Sequence, residues 1–497
     1  MSPSLQRSDP GVTQTSPEPT KFPLVMSSTH QYIQRPNSLW EDTLSADDRC
    51  VEEPLESSIR ADITIIGAGL TGLWSAYYLS QQLPDADIVV IDSAGVGFGA
   101  SGRNGGWASA LLPMGLERIE REHGRDLATQ LQTEMHGTLD EIQRVLATEG
   151  IDAAEQRGGT FTAARSAPQL KRVAHEVSTY QRFGFGDEYH FLNGAAASDI
   201  CKMSELAGAM FTPHCIAVNP AKLTHGIGRA VVRNGVRILS PVRATALGRG
   251  SVTTDRGTIS TKYIVQATEG YTSDIDGQHR NMVPLYSMMI ATEPLPDDMW
   301  DTIGLANRPT FDDSRHLIVY GQRTADGRLA FGGRGAPYHF GSAIRPTFDT
   351  NTTMRNRIRA ALIDLFPAIR DARITHHWGG PLGIPRNWAC SVHANWSDGI
   401  VTAGGYVGDG VSATNLFGRI VADLISEQEH DSGQHDRSDL LRLPVVGPLS
   451  RRWEPEPIRW MGINAGRVAA RFADMSEHRT GKASRFLGGV IDGLLRR

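Results

Sequence analysis

Asp62-Ile-Thr-Ile-Ile66-Gly67-Ala-Gly69-Leu-Thr-Gly72 decides how this chain is read. Its first half is apolar and β-branched, as in a strand buried on both faces. Its second half is Gly-x-Gly-x-x-Gly, directly after that strand and leading into a helical run at Leu73–Leu79. Ile88-Val-Val-Ile91 reads as the next strand, closing a βαβ unit. The first glycine permits a tight turn, the second lets backbone approach a pyrophosphate, and the third lets helix and strand pack closely. Phosphate charge then sits at the helix N-terminus. Asp92, at the end of the second strand, is placed to accept from ribose hydroxyls. The plain alternative, an ordinary glycine-rich turn, leaves this full βαβ context unexplained.

Glycine is abundant elsewhere too, with 52 in 497 residues, and only Gly11 falls in the first 57. Two more clusters lie between apolar runs. One is Gly97-Phe-Gly99-Ala-Ser-Gly102-Arg-Asn-Gly105-Gly106-Trp107, just past the second strand. Its free N–H groups, with Ser101, Arg103 and Asn104, suit a pyrophosphate and the polar edge of a flavin ring. The other, Gly404-Gly405-Tyr-Val-Gly408-Asp-Gly410-Val411, follows the apolar strand Ile400–Ala403 and precedes a helix. Its helix dipole suits negative charge on a flavin. A nicotinamide dehydrogenase, the competing reading, has no need of this late cluster. A third reading is a non-catalytic flavoprotein subunit of a larger complex. No second Gly-x-Gly-x-x-Gly follows a strand, as an enzyme binding both flavin and NAD(P)H usually requires.

Net charge is −5, which leaves no footprint for nucleic acid. Four scattered cysteines without a Cys-x-x-Cys pair argue against a metal site and fit a reducing, cytoplasmic compartment. No apolar run is long enough to span a membrane. Residues 1–57 hold seven of the 26 prolines; 1–36 reads as disordered, and Met26 is an alternative start. A helix is predicted over 116–148, ended by Gly150, and another over Pro220–Asn234. Asp326-Gly327 reads as a hairpin turn between Leu317–Tyr320 and Leu329–Gly332, and a further helix is predicted over Thr414–Ile425. Residues 431–497 read as a linker and tail. Within them Phe486-Leu487, Val490-Ile491 and Leu494-Leu495 suggest a terminal amphipathic helix with basic ends. Packing on protein is favoured over peripheral membrane contact. Oligomeric state is left open.

These segments resemble the FAD-dependent D-amino-acid oxidase/glycine oxidase superfamily, and within it the γ-glutamylputrescine oxidoreductase-like branch. Ala61–Gly72, Val90–Trp107, Asn219-Pro220, Val265–Thr268, Ala291–Leu295, Gly327–Gly333, Trp378–Gly380 and Gly405–Val411 carry the likeness. The resemblance implies an α/β fold: a discontinuous Rossmann-like FAD-binding domain, of the glutathione-reductase type, interleaved with an α+β substrate domain having an antiparallel sheet. The FAD-binding parts would be about 58–113, 205–283 and 375–430, with substrate-domain parts at about 114–204 and 284–374. Cofactor contacts are expected from Gly67, Ala68, Gly69, Leu70, Thr71 and Gly72, and from Asp92 and Ser93. The second cluster contributes Gly99, Ala100, Ser101, Arg103, Asn104, Gly105 and Gly106. Val242 would contact the adenine through its backbone, Ala267 and Thr268 would lie under the cofactor, and Gly405, Gly408, Gly410 and Val411 would close the far end. Arg103 stands where some relatives carry a flavin-linked histidine, so FAD would be non-covalent.

The implied activity is oxidation of the C–N bond of a primary or secondary amine or amino acid. Hydride passes to flavin N5, the imine hydrolyses, and O2 or another acceptor takes the electrons. Tyr286, Tyr320 and Arg334 are candidates for substrate binding, and Arg334 suits a carboxylate. His376, His377 and Trp378 are candidates for catalysis. Neighbouring residues on a strand face opposite ways, so at most one histidine can face the flavin.

Overall fold

The computed structural model describes residues 38–430, 438–484 and 487–489. The expectations for 1–36, for the Met26 start and for most of the terminal amphipathic helix lie outside these residues. Ile59–Ile66 forms the anticipated strand, and Leu70–Gln82 and Ile88–Ile91 complete the βαβ unit. Ile59–Ile66 is flanked in parallel by Ile88–Ile91 and Gly257–Gln266. Arg237–Leu239 and Ile400–Gly404 extend the parallel core at either side. Ser391–Asn395 adds an antiparallel edge, and Ala244–Gly248 with Ser251–Thr254 branches off to make eight strands. Such strands read as continuous apolar runs because both faces are covered. Leu70–Gln82 packs against Pro220–Arg233 and Ala413–Glu429. Gly418 makes the second contact close, since a Cβ there would stand 2.6 Å from Trp74 Cβ.

A second eight-stranded sheet runs in the order Ile374–Pro385, Met282–Thr292, Leu329–Gly333, Val319–Arg323, Thr310–Asp313, Thr160–Ala164, Gly208–Thr212, His190–Asn193. All its pairs are antiparallel except Thr310–Asp313 with Thr160–Ala164. Alternation along Met282–Thr292 separates two faces. Tyr286, Met288 and Ile290 join a core with Ile358 and Leu362 of the helix Thr352–Leu365. Ser287 and Met289 face a cavity.

One expectation is corrected, and two further segments show more than their sequence indicated. The helix predicted over 116–148 is two helices, Leu116–His123 and Arg125–Glu149, because Gly124 adopts φ +91° and breaks the run. Ile374–Pro385, placed with the cofactor segments, pairs along its whole length with Met282–Thr292 in the second sheet. The tail holds a long helix, Ile458–Thr480, whose alanines 469, 470 and 473 pack inward. The helix 220–233, the αL end at Gly150 and the turn at Gly327 fall where expected. No helix among the described residues is long and apolar enough to cross a membrane.

Candidate cofactor and substrate site

Gly67 has φ +111°, and a Cβ there would lie 2.6 Å from Ala267 O. A Cβ on Gly72 would lie 2.0 Å from Gly67 O, and one on Gly69 would lie 2.8 Å from Ser101 Oγ. Side chains at these positions would fill a cradle that backbone now leaves open. Leu70 N donates to Ser101 Oγ at 2.8 Å, tying the second glycine cluster to the first. Asp92 accepts from Ala68 N at 2.9 Å and from Ala94 N and Gly95 N at 2.8 and 3.0 Å. Burial raises its carboxyl above the usual range, against the pull of these amides.

A cavity of about 130 Å³ runs along this cradle. Gly67, Gly69, Thr71, Asp92, Ser93, Gly99, Ser101, Val242, Ala267 and Thr268 all line it. It meets the second sheet at Pro381, Leu382 and Gly383 and shares Ala100 and Leu382 with a larger cavity of about 610 Å³. Arg103, Asn104, Gly105, Gly408 and Val411 line the larger one, so glycine clusters three hundred residues apart in the chain share one wall. Ala68, Leu70, Gly72, Gly106, Gly405 and Gly410 stand behind the walls. Ala68 and Leu70 use their amides to hold Asp92 and Ser101. Gly106 leaves room for Gln322, whose buried Nε2 donates to Gly105 O at 2.7 Å. Gly410 packs against Tyr406.

Sequence reasoning missed Glu269. Its carboxylate lines the first cavity and accepts from Gly405 N and Tyr406 N, both at 3.1 Å. Burial pushes this carboxyl up to about 7. Its signal was an acidic residue just past a buried strand, in Ala-Thr-Glu-Gly. Glu176 and Asp312, on the wall of the larger cavity, were missed as well; burial pushes them up to about 6 and about 7.

Tyr320 and Arg334 line the larger cavity. Tyr320 Oη lies 2.8 Å from Ser287 Oγ, and its ring meets Trp107 edge-on at 6.0 Å. Gly105 and Gly332 make room for that ring, since a Cβ on either would come within 2.8 Å of it. Burial raises the Tyr320 phenol, so it stays protonated and can donate. Arg334 Nη2 lies 3.7 Å from Asp409 Oδ1.

Four candidates do not reach the cavity. Tyr286 points into the core beside His339 and Phe348, because it alternates with Ser287. His377 pairs with Ile290 and feels Arg355 on the same side; burial pushes it down to about 4, so it is neutral. His376 faces the opposite way but is held by Asp42 Oδ2 at 3.1 Å and Thr375 Oγ1 at 2.8 Å. Trp378 is fully buried and donates Nε1–H to Arg103 O at 2.8 Å. Trp40, edge-on to Trp378, donates to Asn104 O at 2.8 Å. Two indoles thus pin consecutive carbonyls of the loop that forms the shared wall, and Arg103 Nε donates to Gly379 O at 3.1 Å.

Residues 62–424 match the family model described as FAD dependent oxidoreductase (DAO). The chain belongs to that family, and its dinucleotide is FAD, which sets the nicotinamide reading aside. It is 27% identical over 378 residues to gamma-glutamylputrescine oxidoreductase of Escherichia coli (strain K12), covering 75% of this chain and 85% of that protein. It is 28% identical over 385 residues to probable oxidoreductase OrdL of Haemophilus influenzae, covering 75% and 84%. Glycine oxidase from Geobacillus kaustophilus superposes with a TM-score of 0.64 at 18% identity, covering 80% of this chain and 100% of that one. Iminodiacetate oxidase from Chelativorans sp. BNC1 superposes with a TM-score of 0.60 at 17% identity, covering 78% and 99%. At these identities the solved structures show a shared fold.

The glycine cradle fits the group. Gly67–Thr71 at the head of Leu70–Gln82 would hold the pyrophosphate, Asp92 the ribose, and Gly408–Val411 the flavin end.

Proposed function

We propose that this oxidoreductase oxidises the C–N bond of a primary or secondary amine or amino acid to an imine, which water then hydrolyses. Bound FAD supplies the hydride acceptor, and the protein supplies orientation and electrostatics. The observation that carries the reading is the larger cavity, which abuts the cofactor wall and is lined by the Tyr320–Ser287 hydroxyl pair and by charged side chains of both signs, among them Arg334, Glu176 and Asp312. Tyr320, oriented by Ser287, offers a donor to the substrate. A buried site disfavours the ammonium form, so the amine is ready to lose hydride without a dedicated side-chain base. Arg334 would hold the carboxylate of an amino-acid substrate in place of Asp409. The relatives that act on amines, by their printed names, support the same class.

We assign the FAD-binding domain to the first sheet and the substrate domain to the second. Arg103, engaged with Gly379 O, supports non-covalent attachment. An anaerobic screen of γ-glutamyl polyamines, glycine-like secondary amines, D-amino acids and aminophosphonates tests the function through loss of the visible flavin band. Bleaching by one class supports the reading, and admitting O2 then tells oxidase from dehydrogenase. A cofactor that no amine or amino acid reduces would overturn it.

A further inference from the structure

Away from the cofactor, three side chains from separate elements converge. His136 lies on Arg125–Glu149, Glu188 lies just before His190–Asn193, and His214 lies in the turn between Gly208–Thr212 and Cys215–Ala217. His136 Nδ1 and His214 Nε2 each lie 3.3 Å from the same oxygen, Glu188 Oε2. All three atoms fall within 4.8 Å of one another. Neither contact satisfies hydrogen-bond geometry for His214 or for Glu188 Oε2: that oxygen and both His214 nitrogens are buried without a hydrogen-bond partner. Leaving such atoms unsatisfied is costly, and a missing partner among them is the economical explanation.

We propose that His136, Glu188 and His214 form a binding site for a zinc-type divalent metal ion. Two imidazoles and one carboxylate are ligands such an ion takes, with a fourth position left for water. Bonds of about 2.0–2.1 Å in a tetrahedron set neighbouring ligand atoms about 3.3 Å apart, the spacing seen at both histidines. The other nitrogen of His136, Nε2, lies 3.0 Å from Tyr189 Oη, which can accept its N–H as the outer support that a ligating histidine needs. The two rings lie parallel with centroids 3.7 Å apart. A lone pair lies in its own ring plane, so the rings must open as the ion seats. His214, with neither nitrogen hydrogen-bonded, is the ring able to turn.

The site has a place for the fourth ligand. His214 and Tyr189 line a cavity of about 60 Å³ whose other walls include Thr160, Glu176 and Asp312. Glu176 and Asp312 also line the large cavity, so the ion would stand behind its acidic wall and staple three elements there.

The test uses the FAD-loaded enzyme, stripped with EDTA, dialysed, incubated with zinc sulfate and desalted. Metal content is read by plasma mass spectrometry. About one zinc per chain is expected in the wild type, and at least about tenfold less in Glu188→Gln and in His214→Ala. Exposed His123→Ala is expected to keep its zinc, and flavin content reports whether each variant has folded. Glu188 is 41% exposed, so Glu188→Gln carries the test even if His214→Ala loses its flavin. X-ray absorption at the zinc edge should show imidazole ligands in the wild type. Negligible zinc in the wild type, or equal zinc in wild type and Glu188→Gln, would overturn the proposal.

Discussion

Glu269 and Gly405 stand 136 residues apart, and the carboxylate of the first accepts from the amide of the second at 3.1 Å. This bond joins the end of Gly257–Gln266 to the turn after Ile400–Gly404, where the two strands run parallel. Because burial pushes the carboxyl up to about 7, the folded protein holds a proton there that the unfolded chain releases near its ordinary value of 4.5. The native state then binds more protons between those two values, so stability falls as pH rises through that window. The difference amounts to roughly 3 kcal/mol at neutral pH. Denaturant unfolding of the FAD-free protein at pH 5 and pH 8 should show a smaller loss of stability in Glu269→Gln than in the wild type. An equal loss in both would refute it.

Gly67→Ala is expected to lower the ratio of FAD to protein at least about tenfold, through the clash with Ala267 O and the forbidden φ. Gly72→Ala drives a Cβ into Gly67 O and is expected to lower stability by at least about 2 kcal/mol. Gly115→Ala meets nothing within 4 Å and serves as the silent control. Absorbance ratios and thermal melts of the three variants read these outcomes.

Arg334→Met should cost carboxylate-bearing substrates about 2–3 kcal/mol in kcat/KM, roughly 30- to 150-fold, while simple amines change by less than about threefold. Tyr320→Phe, which removes the partner of Ser287 and the donor to substrate, should lower kcat about tenfold with FAD content retained. Steady-state kinetics on one substrate of each kind separates the two roles; a uniform loss in Arg334→Met would assign that residue to the protein's own packing.

Neither His376 nor His377 reaches the cavity, so His376→Ala and His377→Ala should keep the wild-type pH–rate profile. His377→Ala should still lose about 1–3 kcal/mol of stability, because its ring is half-buried against the helix Thr352–Leu365. Trp378→Phe removes the N–H that Arg103 O accepts, and should cost about 1–3 kcal/mol and weaken FAD retention. A shifted pH optimum in either histidine variant would return that residue to the chemistry.

The sequence made the cofactor legible because local physics demands glycine there. Tight turns at Gly67, Gly404 and Gly405 and close approach at Gly72 leave few other residues possible. The substrate end was less legible. Whether Tyr286 or Ser287 faces the cavity depends on strand register, and register follows from pairing with distant segments. His376 and His377 illustrate the same limit: alternation predicts that they point apart, yet it does not reveal that Asp42 covers one and the helix 352–365 lies beside the other. Gly124 carries the break in the helix 116–148, but in isolation a glycine within a periodic run reads as tolerated. Glu269 carried only its place just past a buried strand, and Glu176 and Asp312 gave no local pattern, since three-dimensional burial alone sets them apart from surface acids.

The walls of the cofactor cleft extend from Ile66 to Val411, and this has a consequence in time. A ribosome making the chain must emit most of its 497 residues before the cleft's last wall exists. Until then the early glycine cradle is an open half-shell without its opposite side. With FAD placed in this cleft as proposed, its capture is a late event in the life of each new molecule, and the nascent protein has to keep its two sheets from aggregating before then.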